Sequence, residues 1–396
     1  MKKQIKNNEF IYYFSIFLIS LGVALPHSVL TVLLIKKGLS LSSIMVVQAI
    51  YSLAVLVGEY PSGLIADMFS KKAVFIISKF LLLIMFLAVI YFNNVIYIAI
   101  AWFIYGISSA LDSGTLDAEL INDLKIENLG VEKFIGTTNK LSFVAELIGS
   151  TIGSFIFYRI GVSFYWLSII LTLLAVFITV VGFKEVTINH LKKKTYNFWI
   201  EMINQSKEGL KEVRKKSTLK LMIALTFVGQ FFFQAHFQLW QALLLYKGLD
   251  KKNFYIIYIL FQLLSVAAYS VPIKKLLSIN LNKIFCFVFI ALMSCLFCLL
   301  ENKNNIIFIF IYLTFVFIFT IFNYFSDYLF AKKVSYEHIS SLTSLKSSCG
   351  RIASILAMLE SSILLQHISV LNTVMINFGF AAILSVIIVF KFKKSS

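Results

Sequence analysis

The stretch Gly63-Leu-Ile-Ala-Asp67-Met-Phe-Ser-Lys71-Lys72 decides how this chain is read. It is a short polar hinge between two long apolar runs, 41–66 before it and 72–92 after it. A helix needs about 20 apolar residues to cross a bilayer, and each run is long enough. Asp67, Lys71 and Lys72 place their charges where such a chain leaves hydrocarbon and turns back. Pro61 lies near the end of the first run, and lysines at such a turn collect on the cytoplasmic side of a membrane.

Working outward, the whole chain has the same character. Of its 396 residues 59% are hydrophobic and only 14% charged, with 40 phenylalanines and a mean hydropathy of +0.88. A soluble chain carries about 25% charged residues, so this composition excludes a soluble enzyme, a secreted domain and a nucleic-acid-binding module. The net charge of +17 therefore concerns topology, not nucleic acid. The four cysteines form no disulfide framework. Cys295 and Cys298 sit in an apolar run as small filler, and no metal or cofactor is expected. The first apolar run, 10–35, is too long for a cleaved signal peptide.

Apolar runs fall near 10–35, 41–66, 72–92, 95–122, 134–159 and 161–182, then near 219–246, 253–273, 282–300, 305–331, 340–366 and 369–391. These predict an all-α membrane protein of twelve spans. Its organisation is a six-helix bundle over 1–190, a linker over 191–218 and a second six-helix bundle over 219–396. With the N-terminus inside, 25 of the 36 Lys and Arg fall in inner segments and 7 in outer loops, which orients both termini to the cytoplasm. In the linker, Tyr196, Trp199, Ile203, Leu210 and Val213 recur at helical spacing among basic residues. Such a segment either lies on the anionic leaflet or is a solvated connector.

The halves repeat. Leu33-Leu-Ile-Lys-Lys-Gly-Leu39 returns as Leu243-Leu-Leu-Tyr-Lys-Gly-Leu249, each before a helix N-cap residue, Ser40 or Asp250. Pro61 falls on Pro272, Lys72 on Lys283, and Lys140 close to Lys346, all at nearly one offset. Two six-span repeats are the organisation of rocking transporters, with the site near midplane. Here the chain resembles the major facilitator superfamily over its full length. The hinge matches that family's G-x-x-x-D-x-x-G-[RK]-[RK] signature, with Ser70 in place of the second glycine. Glu59-Tyr-Pro61-Ser and Ser113-Gly-Thr-Leu-Asp-Ala-Glu-Leu120 resemble its drug-efflux-type members. The resemblance implies a bacterial cell-membrane transporter, working as a monomer on a small-molecule substrate, with protons and membrane lipids as its other partners.

Ionisable groups inside a membrane are costly, so each is a functional candidate. His27 in span 1 and Glu146 in span 5 are expected near midplane and titrating as one unit; with Asp112 in span 4 they form the candidate proton-coupling set. In span 7, Gln230, Gln234, Gln238 and Gln241 keep their amides on one stripe, with His236 and Trp240 on another face. These six, with Arg351 in span 11, are the candidate substrate site, and Arg351 is also a candidate partner of Asp327. Gly63, Asp67, Lys71 and Lys72, with Asp117 and Glu119 of span 4, form a candidate conformational latch. Glu360 is expected nearer the outer face, as a gate charge. With no phosphate-binding glycine loop and no catalytic constellation, the expectation is a secondary transporter, not an enzyme. The first reading is proton-coupled export of small amphipathic compounds. The alternatives are a metabolite or sugar transporter, or a lipid flippase.

The topology is testable in intact cells after replacing the four native cysteines. A cysteine at Lys251 should react with an impermeant thiol reagent, whereas one at Lys193 should not. Labelling at Lys193 would overturn the orientation.

Overall fold

The computed structural model describes residues 2–68, 70–185, 213, 216–272, 281–302, 304–334 and 339–395. The amphipathic stretch proposed for the linker lies almost wholly outside them. Secondary structure among these residues is helical throughout. The helices are α1 (Lys2–Ala24), α2 (Leu30–Lys36), α3 (Leu41–Met68), α4 (Lys71–Tyr91), α5 (Val95–Asp112), α6 (Leu116–Ile126), α7 (Val131–Ile160) and α8 (Tyr165–Gly182). There follow α9 (Ser217–Tyr246), α10 (Phe254–Tyr269), α11 (Leu281–Glu301), α12 (Asn305–Lys333), α13 (Ile339–His367) and α14 (Val370–Ser395).

Nine stretches of the described residues are long and apolar enough to cross a bilayer. One of them, Val131–Gly182, holds both α7 and α8. Phe287–Glu301 is a shorter apolar helix, and α1 with α2 makes the first span, so the architecture is twelve transmembrane spans in two six-helix halves. Large apolar side chains stand exposed along them, Phe10, Phe287, Phe310 and Ile306 among others. That surface suits lipid, which is as apolar as these side chains.

Two spans are broken. Span 1 turns at Leu25–Val29, around Pro26, between α1 and α2. Span 4 turns at Ser113–Thr115, between α5 and α6, where Gly114 has φ +77°. Proline removes a helix donor and glycine tolerates the left-handed backbone, so each break has a local cause.

Contacts group the chain into two compact units: Met1–Leu191 with Asp250–Ile259, and Lys192–Leu249 with Leu260–Ser396. In the first, span 1 packs on spans 5 and 6, and span 3 on spans 4 and 6. In the second, span 7 packs on spans 11 and 12, and span 9 on spans 10 and 12. These pairings repeat in order.

The repeat extends to single hydrogen bonds. Leu39 N–H reaches the Leu34 carbonyl at 3.1 Å, and Leu249 N–H reaches Leu244 at 3.0 Å. Gly38 and Gly248 sit inside these turns at φ +91° and +78°, the glycine-centred helix ending of the Schellman type. Beside them Lys37 Nζ donates to the Phe92 carbonyl at 2.9 Å, at the end of α4. Lys247 Nζ donates to the Asn302 carbonyl at 3.0 Å, at the end of α11. Asn94 caps α5 through the Ile96 N–H at 2.8 Å, and Asn304 caps α12 through Ile306 at 2.9 Å. Each half thus closes the corresponding loops with the same lysine and the same asparagine.

A Cβ on Gly38 or Gly248 would meet no atom within 4 Å, so the requirement there is purely conformational. Gly248→Ala should cost about 1–2 kcal/mol, read as a lower unfolding temperature, and Gly248→Asn less. An alanine variant as stable as the parent would remove the repeat cap as a determinant.

Candidate functional site

In the first unit the site grows from the seating of α7 on α1. A Cβ on Gly149 would come within 2.6 Å of the Leu21 carbonyl, and one on Gly153 would collide with the Leu25 carbonyl. Only glycine permits this approach. Ser28 Oγ, in the break of span 1, donates to the Ser150 carbonyl at 2.6 Å. Glu146, one turn before Gly149, is half-buried and makes no hydrogen bond or ion pair with a described residue. His27 Nδ1 instead lies 3.3 Å from the Tyr258 hydroxyl. The structure therefore does not bring Glu146 and His27 together as one titrating pair; the break turns His27 toward Tyr258.

Asp112 ends α5, at the break in span 4. Its Oδ1 is 2.6 Å from Lys79 Nζ of span 3, with side-chain exposures of 33% and 3%. Lys79 also lies over the Phe75 ring, 4.7 Å from its centroid, and Ser78 Oγ is 3.5 Å from the same carboxylate oxygen. Tyr51 donates to Ser109 Oγ at 3.3 Å and packs on Tyr105 at 4.7 Å between centroids. Tyr105 lies within electrostatic reach of both Asp112 and Glu146. Removing one member of a buried ion pair strands the other charge, so Asp112 holds Lys79 in place, whereas Glu146 has no ion pair with a described residue.

In the second unit three helices contribute one polar face. Gln230 and Gln234 of α9 close a triangle with Ser354 of α13. Ser354 Oγ donates to Gln230 Oε1 at 2.8 Å, and Gln234 Nε2 reaches Gln230 Oε1 and Ser354 Oγ at 3.2 Å each. Gly350 marks the crossing, since a Cβ there would meet Thr226 at 3.5 Å and Gln230 Nε2 at 3.9 Å. One turn before it on α13, Lys346 Nζ contacts Asp327 Oδ1 at 2.5 Å, and Asn323 Nδ2 donates to Asp327 Oδ2 at 3.3 Å. Asp327 is thus engaged by Lys346, where the sequence offers Arg351; Arg351 is half-buried and has an interaction of its own.

The remaining candidates of span 7 divide. Gln238 is half-buried, whereas Gln241, Trp240 and His236 are buried. His236 Nδ1 lies 2.9 Å from the Tyr312 hydroxyl, stacked on Phe232 and edge-on to Phe261. This is a satisfied histidine inside an aromatic core.

At the hinge, Lys72 Nζ donates to the carbonyls of Val180 and Phe183 at 2.9 and 2.7 Å. It caps the C-terminus of α8, where a cation also meets the negative end of the helix. Ser70 Oγ accepts from Ala73 N–H at 3.2 Å, N-capping α4, and donates to Glu185. Serine at the second glycine position of the signature thereby has a role. Lys71 lies within electrostatic reach of Asp117 and Glu119. Gly63 lies within α3, and the side chain of Asp67 is outside those described.

The family model described as Major Facilitator Superfamily matches residues 12–358. The chain belongs to the Major Facilitator Superfamily. Among solved structures this superfamily member is similar to the nucleoside transporter NupG, with a TM-score of 0.78 at 13% identity over 98% of this chain and 99% of that one. It is similar to a D-xylose–proton symporter at 0.69 and 13% identity, over 98% of each chain. A bacterial homolog of the human lysosomal transporter Spinster, inward-facing and occupied, gives 0.67 at 10% identity, over 99% and 96%. At these identities the likeness shows the fold. No curated protein matches by sequence. The chain is a multi-pass membrane transporter, and its superfamily neighbours do not single out the drug-efflux type.

Asp112→Asn should destabilise the protein toward the lower end of the roughly 3–5 kcal/mol seen when one partner of a buried pair is removed, because Asp112 is one-third exposed. The double replacement Lys79→Met with Asp112→Leu should restore thermal stability in detergent. A stable Asp112→Asn protein would show that the pair is not structural.

Proposed function

We propose that this superfamily member couples proton movement to transport of a small, neutral, hydroxyl-rich solute. The observation that carries this reading is the polar face of α9, α12 and α13. Amides and a hydroxyl both donate and accept, and the Lys346–Asp327 ion pair beside them carries no net charge. Such a surface suits hydroxyl groups and gives a permanent ion no counter-charge. Gln230, Gln234 and Ser354 read the solute, with Asn323, Asp327 and Lys346 at its edge. Glu146 carries the proton, since it is a half-buried carboxyl that makes no hydrogen bond or ion pair with a described residue. Lys71, Lys72, Asp117 and Glu119, with Gly63 and Asp67, hold the inner ends of the helices through the cycle.

A second reading has one observation in its favour. An unpaired, half-buried carboxyl such as Glu146 also attracts lipophilic cations, which fits export of amphipathic compounds and the efflux-like segment Ser113–Leu120. His27, near the break in span 1, then tunes the pH at which either cycle runs.

Purified protein in proteoliposomes distinguishes the readings. With an imposed pH gradient, a neutral polyol, sugar or nucleoside should accumulate, whereas lipophilic cations should not. Glu146→Gln should abolish accumulation and keep solute exchange. Gln230→Ala should raise KM roughly three- to tenfold, the value of a neutral hydrogen bond, with little change in kcat. Uptake of lipophilic cations without hydroxylated solutes would replace this proposal with the second reading.

A further inference from the structure

The end of span 6 is held from spans 1 and 3 by contacts that the family signature does not contain. Lys72 Nζ of α4 caps the carbonyls of Val180 and Phe183 at 2.9 and 2.7 Å. Asn8 of α1, 0% exposed, takes the next residue by both of its backbone groups. Its Nδ2 donates to the Lys184 carbonyl at 2.7 Å, and its Oδ1 accepts from Lys184 N–H at 3.1 Å. Glu185, just beyond the Gly182 end of the span, then reaches back to the hinge. Its Oε1 accepts from the Ser70 hydroxyl, and from Lys72 N–H at 3.2 Å.

The closure is reciprocal. The first turn of α4 is the positive end of a helix and receives a carboxylate, while the last turn of α8 is a negative end and receives an ammonium. Each helix end takes its charge from the other segment. Ser70 makes this possible: its Oγ accepts from Ala73 N–H at 3.2 Å and passes its own proton to Glu185. A glycine at that signature position has no hydroxyl with which to join the two.

What the closure holds lies in the core beneath it. Phe75 of α4 and Phe183 at the end of α8 share one buried cluster with Leu116, Leu120 and Leu124 of α6. α6 also carries Asp117 and Glu119, both within electrostatic reach of Lys71. Glu119 in addition meets Glu185 and Asp123 as like charges and Lys72 as an opposite one. Close-packed interiors transmit small shifts, so a first turn of α4 that slid along α8 would carry Phe75 against α6 and reset the distance from Lys71 to both acids.

We propose that Glu185 is a positioning residue of the inner latch: by closing α4 onto α8 through Ser70, it sets how α6 presents Asp117 and Glu119 to Lys71. This role rests on the inner-end function given above to Lys71, Asp117 and Glu119, and is independent of the transported solute and of the coupling ion.

Amide hydrogen exchange of the purified full chain in lipid nanodiscs tests it with no solute present, so failure here leaves the transport reading intact, and a wrong solute leaves this role intact. Ser70 and Glu185 are both exposed, so replacing them opens no cavity. Glu185→Ala should speed exchange over 116–124, a segment it does not touch, roughly three- to tenfold, the value of one lost hydrogen bond. Ser70→Gly, which restores the signature residue, should act in the same direction, whereas Ser70→Thr, which keeps the hydroxyl, should leave exchange there unchanged. Combining Ser70→Gly with Glu185→Ala should give less than the product of the two effects, because both act on one contact. Faster exchange confined to the first turn of α4 overturns the proposal and makes Glu185 a local cap. Unchanged exchange in Glu185→Ala overturns it too, as do effects of the two replacements that multiply in full.

Discussion

A backbone that leaves its helix inside a membrane has no water to bond with, and must satisfy its groups within the protein. Spans 1 and 4 meet that constraint in different ways. At Leu25–Val29 the chain makes local turns, with His27 N–H on the Ala24 carbonyl at 3.0 Å and Val29 N–H on the Pro26 carbonyl at 2.9 Å. The glycines of α7 let a second backbone close over it. At Ser113–Thr115 the Thr115 hydroxyl donates to the Asp112 carbonyl at 2.7 Å, and the Asp112 carboxylate is spent on Lys79. Unbroken helices would have directed the side chains of spans 1 and 4 elsewhere. The breaks put His27 against Tyr258 and Asp112 against Lys79.

The same constraint sorts the charges of the two units. Acids that meet a lysine, Asp112 and Asp327, become parts of the scaffold or of a neutral polar face. Among the described residues, Glu146 and Glu360 lie in membrane spans without an ion pair. Glu360 instead accepts hydrogen bonds from the Asn377 amide and the Ser361 hydroxyl.

Much of the fold was legible because hydrophobic length and loop lysines are local properties of a sequence. The twelve spans followed from run lengths, and the Gly38/Gly248 repeat from seven-residue strings. Lys37 and Lys247 were visible as outer lysines, but their targets, Phe92 and Asn302, lie too far along the chain for any pattern to join them. The site was less legible. Helical spacing placed four glutamines on one stripe, yet a stripe does not say which neighbour covers each turn. Gln230 and Gln234 met Ser354, an ordinary serine in an ordinary-looking helix. Gln241 was buried, and His236 found Tyr312 from span 10. Partners of this kind are set by helix packing, which the local sequence of either helix does not contain.

The paired lysine brackets also bear on how the chain is built. Lys37 closes on Phe92 and Lys247 on Asn302, so each bracket joins the first and third spans of its own half. A nascent chain can complete such a clasp as soon as the third span has emerged, with half of that bundle not yet synthesised. Chains of this size assemble in parts from the N-terminus onward. The early clasp turns three separate hydrophobic segments into a braced template, against which the later spans of the same half find their places.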